Sequence, residues 1–170
     1  MEEKKHLISV TVENRFGVLA RIAGLFSARG FNIDFLSVAE TEDPTVSHIT
    51  IGVKGNERIL EQISKQLNKL IDVIKVQDLT SFAYLERELI LVKINAANRA
   101  SIMKIVETFG SQVVDVGEKT VVVELVGDAD RIEIMLKLLR PFGIKEIRRT
   151  GRVGIRKEEK NGGNDGKNLL

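Results

Sequence analysis

Between Leu7 and Glu13 apolar and polar residues alternate. Ile8, Val10 and Val12 fall on one side and Ser9, Thr11 and Glu13 on the other, a period of two that predicts a half-solvated strand. From about Gly17 the period becomes helical, with Val18, Leu19, Ile22, Leu25 and Phe26 in one stripe, and Gly30 stands where a helix closes in the left-handed region. Asn14, just upstream, is the expected capping side chain, and Gly17 lets the backbone come close to a neighbour. Phe31 to Glu40 reads as a second strand whose phase slips between Phe31/Ile33/Phe35 and Leu36/Val38, as a bulge produces. Thr41-Glu42-Asp43-Pro44-Thr45 is turn chemistry, and Val46 to Val53 alternates again. Gly55-Asn56 then opens a helix carrying Ile59, Leu60, Ile63, Leu67 and Leu70, and Val73 to Leu79 supplies a further strand.

The same series follows once more. Leu89 to Asn95 is a strand, Asn98 to Phe109 a helix, and Gln112 to Val116 and Thr120 to Val126 are strands. A helix with Ile132, Met135, Leu136 and Leu139 ends near Pro141 and Gly143, and Ile144 to Arg149 closes the series. Val53-Lys54-Gly55-Asn56 and Leu125-Val126-Gly127-Asp128 occupy matching strand-to-helix joints. The expected fold is α+β: two ferredoxin-like βαββαβ units in tandem, each an antiparallel sheet with both helices on one face. The expected division is a first domain over 1–79, a linker over 80–88, a second domain over 89–156 and a disordered tail over 157–170. The second sheet reads as apolar on both faces, since Leu89, Leu91, Val122 and Val126 oppose the core-facing residues, so its open face is expected to pack on another domain or subunit.

Composition narrows the function mainly by exclusion. Apolar residues make up 43% and charged residues 29% of the 170, ordinary for a globular chain, and a net charge of +2 is too weak to argue for nucleic acid or a membrane surface. The absence of cysteine removes disulfides, thiolate catalysis and Cys-based zinc sites. No apolar run is long enough to span a bilayer and the first residues are no secretory signal, so a cytoplasmic location is expected. His6 and His48 have no second ligand at metal spacing, there is no phosphate loop or serine elbow, and Asp34, Asp72, Asp115 and Glu124 are scattered. No catalytic residue and no metal ligand is therefore assigned. A βαββαβ sheet also serves RNA recognition, but the strands at 7–13 and 46–53 carry no aromatic residue for stacking. The basic residues Lys145, Arg148, Arg149, Arg152, Arg156 and Lys157 are diluted by Glu146, Glu158 and Glu159 and read as a solvated or subunit-contact segment. One positive feature remains: the first helix turn after Gly17 exposes backbone amides that can hold a small carboxylate without a charged side chain. Taken alone, these residues favour an ordinary strand-to-helix turn.

Asn14-Arg15-Phe16-Gly17-Val18-Leu19-Ala20-Arg21, Gly24-Leu25-Phe26-Ser27 and Arg29-Gly30-Phe31-Asn32-Ile33 resemble the ACT domain, a small-molecule-sensing module of amino-acid metabolism. With Leu36-Ser37-Val38-Ala39, Thr41-Glu42-Asp43-Pro44, the run from Leu60 to Leu70 and Glu86-Arg87-Glu88-Leu89, the chain is similar to the family of small, regulatory subunits of acetolactate synthase. The resemblance is close over the first half and the linker; the second half matches mainly in its pattern of elements. It implies that the first unit is an ACT domain, that two copies pair side by side as a homodimer, and that a branched-chain amino acid, valine foremost, binds between them. The effector-binding set so implied is Asn14, Gly17, Val18, Leu19, Asn32, Ile33 and Ala39. The second half departs from the signature, with Arg99 near the position equivalent to Gly17, so the effector is expected in the first half only.

The reaction would belong to a separate catalytic subunit, which in that family uses thiamine diphosphate, magnesium and FAD. None of these is expected on this chain, which would be no enzyme alone. It would activate that subunit and confer feedback inhibition in valine, isoleucine and leucine biosynthesis. The open face of the second half and the linker are the expected contact surfaces. The alternative is a free-standing ACT-domain sensor that regulates transcription or another enzyme.

Overall fold

Two strands of alternating sequence become the centres of two sheets. The structure, a computed structural model, describes residues 4–158. In the first unit β1 (Lys4–Glu13) is followed by α1 (Val18–Ala28), β2 (Ile33–Glu40), β3 (Val46–Gly55), α2 (Glu57–Leu67) and β4 (Val73–Asp78). The second runs β5 (Tyr84–Asn95), α3 (Arg99–Thr108), β6 (Gln112–Val116), β7 (Thr120–Gly127), α4 (Ala129–Leu139), β8 (Ile144–Arg149) and β9 (Val153–Arg156). The sheets are antiparallel, in the orders β2-β3-β1-β4 and β6-β7-β5-β8, so β2 and β6 are edge strands. Two tandem α+β units with helices on one face are borne out.

Each core is the helix-facing side of its sheet. Ile8, Val10 and Val12 of β1 and Ile49, Ile51 and Val53 of β3 meet Val18, Ile22 and Phe26 of α1 and Ile63 and Leu67 of α2. Burying each large side chain contributes about 2 kcal/mol. The second core repeats this with Ile90, Val92 and Ile94 of β5, Val121, Val123 and Leu125 of β7, and Ile102, Ile132, Met135 and Leu139 from the helices. The matching joints are both helix caps: the Asn56 Oδ1 accepts the Ile59 N–H at 3.0 Å and the Asp128 Oδ1 accepts the Arg131 N–H at 2.9 Å. The phase slip in β2 is a bulge. Ile33 pairs with Val53 and Phe35 with Gly52, leaving Asp34 as the extra residue. Gly30, at φ 68°, closes α1, with its N–H on Ser27 O and that of Phe31 on Phe26 O.

The segment read as a linker, 80–88, is structured. Asp78 caps a single helical turn (Leu79–Ser81), and β5 begins at Tyr84. The first residues of β5 are held by β9, with Tyr84 opposite Arg156 and Arg87 opposite Val153. β9 had no signal of its own, being only Val-Gly-Ile-Arg, and it exists through this long-range pairing. It crosses the junction between the units: a Cβ on Gly154 would stand 2.7 Å from Leu7 and 2.8 Å from Leu79. Leu7 lies on the face of β1 away from the helices and is nevertheless 2% exposed, because β9 covers it. The basic segment is thereby corrected. Arg149 pairs with Glu88 and Glu133, Arg152 with Glu86, and Arg156 lies 3.8 Å from the centroid of the Phe82 ring, so these cations fasten the chain to itself.

The open face of the second sheet is more polar than β5 and β7 suggest. Leu91 and Lys93 face Arg148 and Glu146 of β8, and Glu146 pairs with both Lys93 and Arg148, while Val126 is 51% exposed. Of the segment read as a tail, only Lys157 and Glu158 lie among the described residues. No described helix is long and apolar enough to cross a membrane.

Candidate functional site

The turn between β1 and α1 is built from its neighbours. The Asn14 backbone N–H donates to Thr45 O at 2.7 Å and its Nδ2 to Pro44 O at 2.9 Å, which ties this turn to the one joining β2 and β3. That partner turn holds its own shape: Asp43 Oδ1 accepts the N–H and the hydroxyl of Thr45, and these bonds hold the Asp43 carboxyl below its ordinary pKa. Asn14 is therefore not the helix cap. The capping position belongs to Gly17, at φ 82° and ψ −7°, and no side chain accepts from the first turn of α1, which also lacks an acidic residue. The positive end of the helix is thus open to an external acceptor.

Arg21 adds a charge that the sequence reading left out. A Cβ on Gly17 would lie 3.5 Å from Arg21 Nη1, while Arg21 Nη2 bonds Asp72 Oδ2 at 2.7 Å. Asp72 is buried, and its carbonyl accepts the Glu13 N–H at 2.9 Å, so the residue leading into β4 steadies the same turn. Position Arg21, one helical turn beyond Gly17 on α1, was the available signal.

The seven expected site residues fall into two groups. Asn14, Gly17, Val18 and Leu19 lie at the end of the sheet where Glu13 pairs with Val46, and Ala39 joins them there, opposite His48. The Val18 side chain is in the core, at 4% exposure, so only its backbone faces the turn's surroundings; Leu19 and Ala39 are exposed. Asn32 and Ile33 lie at the other end of β2, where Ile33 pairs with Val53. Asn32 is exposed and its Nδ2 donates to Asp34 Oδ1 at 3.2 Å. Six residue steps of strand, about 20 Å, separate Ile33 from Ala39. A single chain does not assemble the set. His48, beside Ala39, faces Ser9 across 3.3 Å, and burial holds its imidazole below the ordinary pKa.

The acetolactate synthase (AHAS) small subunit-like ACT domain family matches residues 8–75, and the family described as small subunit of acetolactate synthase matches residues 87–158. The acetolactate synthase small subunit of Aquifex aeolicus is 48% identical over 158 residues, covering 91% of this chain and 82% of that one. This chain belongs to the acetolactate synthase small-subunit family. A probable acetolactate synthase small subunit from Methanothermobacter thermautotrophicus is 49% identical over 154 residues, 89% of this chain and 92% of its own length. The crystal structure of the acetolactate synthase small subunit from Thermotoga maritima superimposes with a TM-score of 0.83 at 36% identity, covering 92% of this chain and 99% of that one. The two-unit architecture, including the second unit that the motifs marked only by its pattern, is thus that of the small-subunit family.

Proposed function

We propose that this protein is the regulatory subunit of an acetolactate synthase and that a branched-chain amino acid, valine foremost, is held between two copies paired through β2. The observation that carries the reading is the division of the seven residues between the two ends of an edge strand. Antiparallel pairing of two β2 strands about a two-fold axis sets the Ile33 end of one beside the Ala39 end of the other. It brings Asn32 and Ile33 of one copy to the Gly17 turn of its mate, and it removes an unpaired sheet edge. The effector carboxylate then meets the first-turn amides of α1 with Arg21 behind them, and the Asn32 amide supplies polar contact across the axis. The chemistry stays on a separate catalytic subunit, which carries thiamine diphosphate, magnesium and FAD. Effector binding shifts that subunit by a coupling on the order of 1–3 kcal/mol, shared equally in both directions.

Calorimetric titration of the protein with valine, leucine and isoleucine tests this, alongside Gly17→Ala and Gly17→Asp. Both variants carry a Cβ at φ 82°, a strain of about 1–2 kcal/mol, but only the aspartate opposes the effector carboxylate. Valine binding weakened in Gly17→Ala and abolished in Gly17→Asp, with both folded by circular dichroism, is the expected result. Equal binding by the two variants refutes the site. Capture of the catalytic subunit by the tagged chain, with activation on mixing, tests the partner.

A further inference from the structure

The bulge at Asp34 places Phe35, two residues past Ile33, against the second unit. The ring lies over Gly52, where a Cβ would stand 2.0 Å from it, and reaches Gly151, where a Cβ would stand 3.2 Å away. Gly151 has φ 77°, so a side chain there meets both strain and the ring. Arg152 covers the same ring, its guanidinium carbon 4.6 Å from the centroid. Its Nη1 pairs with Glu86 Oε2 at 3.2 Å, and both side chains are largely buried, at 18% and 12% exposure. The other oxygen, Glu86 Oε1, accepts the N–H of Ala129 at 3.1 Å, the first residue of α4. The neighbouring Thr150 is fixed to β5, its N–H on Leu89 O and its Oγ1 accepting the Leu89 N–H, each at 3.1 Å. A cleft of about 440 Å³, lined by Asp34, Leu36, Glu133 and Arg149 among others, leaves room at this junction for displacement.

We infer that the Phe35–Arg152–Glu86 contact is the joint through which the effector strand and the second unit sense each other, with Arg152 a positioning residue for an effector it does not touch. The inference rests on the effector reading above. Asn32 leads into β2, Ile33 and Phe35 lie on either side of the bulge in that strand, and the bulge is where the register of β2 on β3 is already irregular. An effector that fixes Asn32 and Ile33 fixes the ring; the ring fixes Arg152; and Arg152 holds Glu86 on the start of α4. Reciprocity follows: whatever holds Arg152 in place raises effector affinity by the same factor.

The test uses the full chain. Exchange of the Ala129 amide is followed by NMR with and without saturating valine, and valine affinity is measured calorimetrically for the wild type, Arg152→Met and Arg152→Lys. Slower exchange of Ala129 on adding valine to the wild type is expected. Valine affinity should fall roughly threefold to tenfold in Arg152→Met, with the valine effect on Ala129 lost, and both should recover substantially in Arg152→Lys, which keeps a cation for Glu86 and the ring. Valine binding to the wild type that leaves Ala129 exchange unchanged overturns this inference and leaves the effector reading standing. No heat with valine, leucine or isoleucine on the wild type overturns the effector reading and this inference with it. The wild-type exchange measurement decides the matter even if Arg152→Met does not fold.

Discussion

Glu88 and Arg149 form a pair whose two halves should be unequally costly to remove. Arg149 Nε and Nη2 donate to the two Glu88 oxygens at 2.9 and 2.8 Å, and Nη1 reaches Glu133 at 3.1 Å. The Glu88 side chain is 3% exposed and that of Arg149 41%. Glu88 raises the already high Arg149 pKa further, which marks the contact as favourable to the charged guanidinium. Replacing Arg149 by methionine strands a buried carboxylate, and breaking a buried pair in this way costs about 3–5 kcal/mol. The half-exposed guanidinium is partly screened by water, so the lower end, about 3 kcal/mol, is expected. Replacing Glu88 by glutamine leaves an isosteric acceptor for one Arg149 N–H, and the guanidinium keeps Glu133 and solvent, so about 1 kcal/mol is expected. For a chain of this size those losses correspond to Tm decreases of roughly 6–12 °C and 2–4 °C. Urea and thermal melts of the two variants and the double variant supply the comparison. If Glu88→Gln proves as destabilising as Arg149→Met, the argument from unequal burial is wrong.

Two further predictions concern other parts of the first unit. Asn56→Ala removes the cap on α2 and should lower stability by about 1 kcal/mol, read as a lower urea midpoint with an unchanged slope; no shift would mean that the Ile59 N–H finds another acceptor. Burial depresses the His48 pKa below 6.5, so the unfolded chain takes up that proton first as pH falls, and stability is full above 6.5 and declines through the interval down to the lower folded value. The urea midpoint followed from about pH 7.5 to 5 should show a decline that His48→Gln reduces; an identical pH dependence in both proteins would refute the assignment.

Local periodicity carried most of the fold. Strands such as β6 and β8, the bulge in β2 and the glycine closing α1 are visible because each depends on side-chain alternation, a phase slip or a left-handed residue. What was not legible depends on distant partners. β9 has four residues and two exposed apolar side chains, and nothing in Val-Gly-Ile-Arg says that Tyr84–Arg87 will pair with it. For the same reason the helical turn and strand within 80–88, and the pairing of Arg149 and Arg152 with Glu88, Glu133 and Glu86, were not visible in a segment read as a linker and a run read as a solvated or subunit-contact segment. Asn14 was misread as a cap because a short polar side chain before a helix fits that role locally, whereas its real acceptor is the Pro44 carbonyl thirty positions on.

The candidate site raises a stronger version of this problem. Motif residues near Gly17 and near Asn32 were readable as one set, yet the fold of one chain holds them at opposite ends of β2. Two explanations are possible for such a split: the residues serve unrelated structural ends, or a second copy completes the site. The details at each end argue for the second. A helix start capped only by glycine, with no acidic residue in its first turn, leaves first-turn amides without a side-chain acceptor, and the Arg21 guanidinium beside them is already held by Asp72 at one nitrogen, with Nη1 turned toward Gly17. At the other end, Asn32 is exposed on the approach to an unpaired strand edge rather than enclosed by its own fold. A two-fold axis perpendicular to β2, as proposed above, would serve both ends in one operation, and it would leave Phe35 and Arg152 on the far side of the bulge, against the second unit.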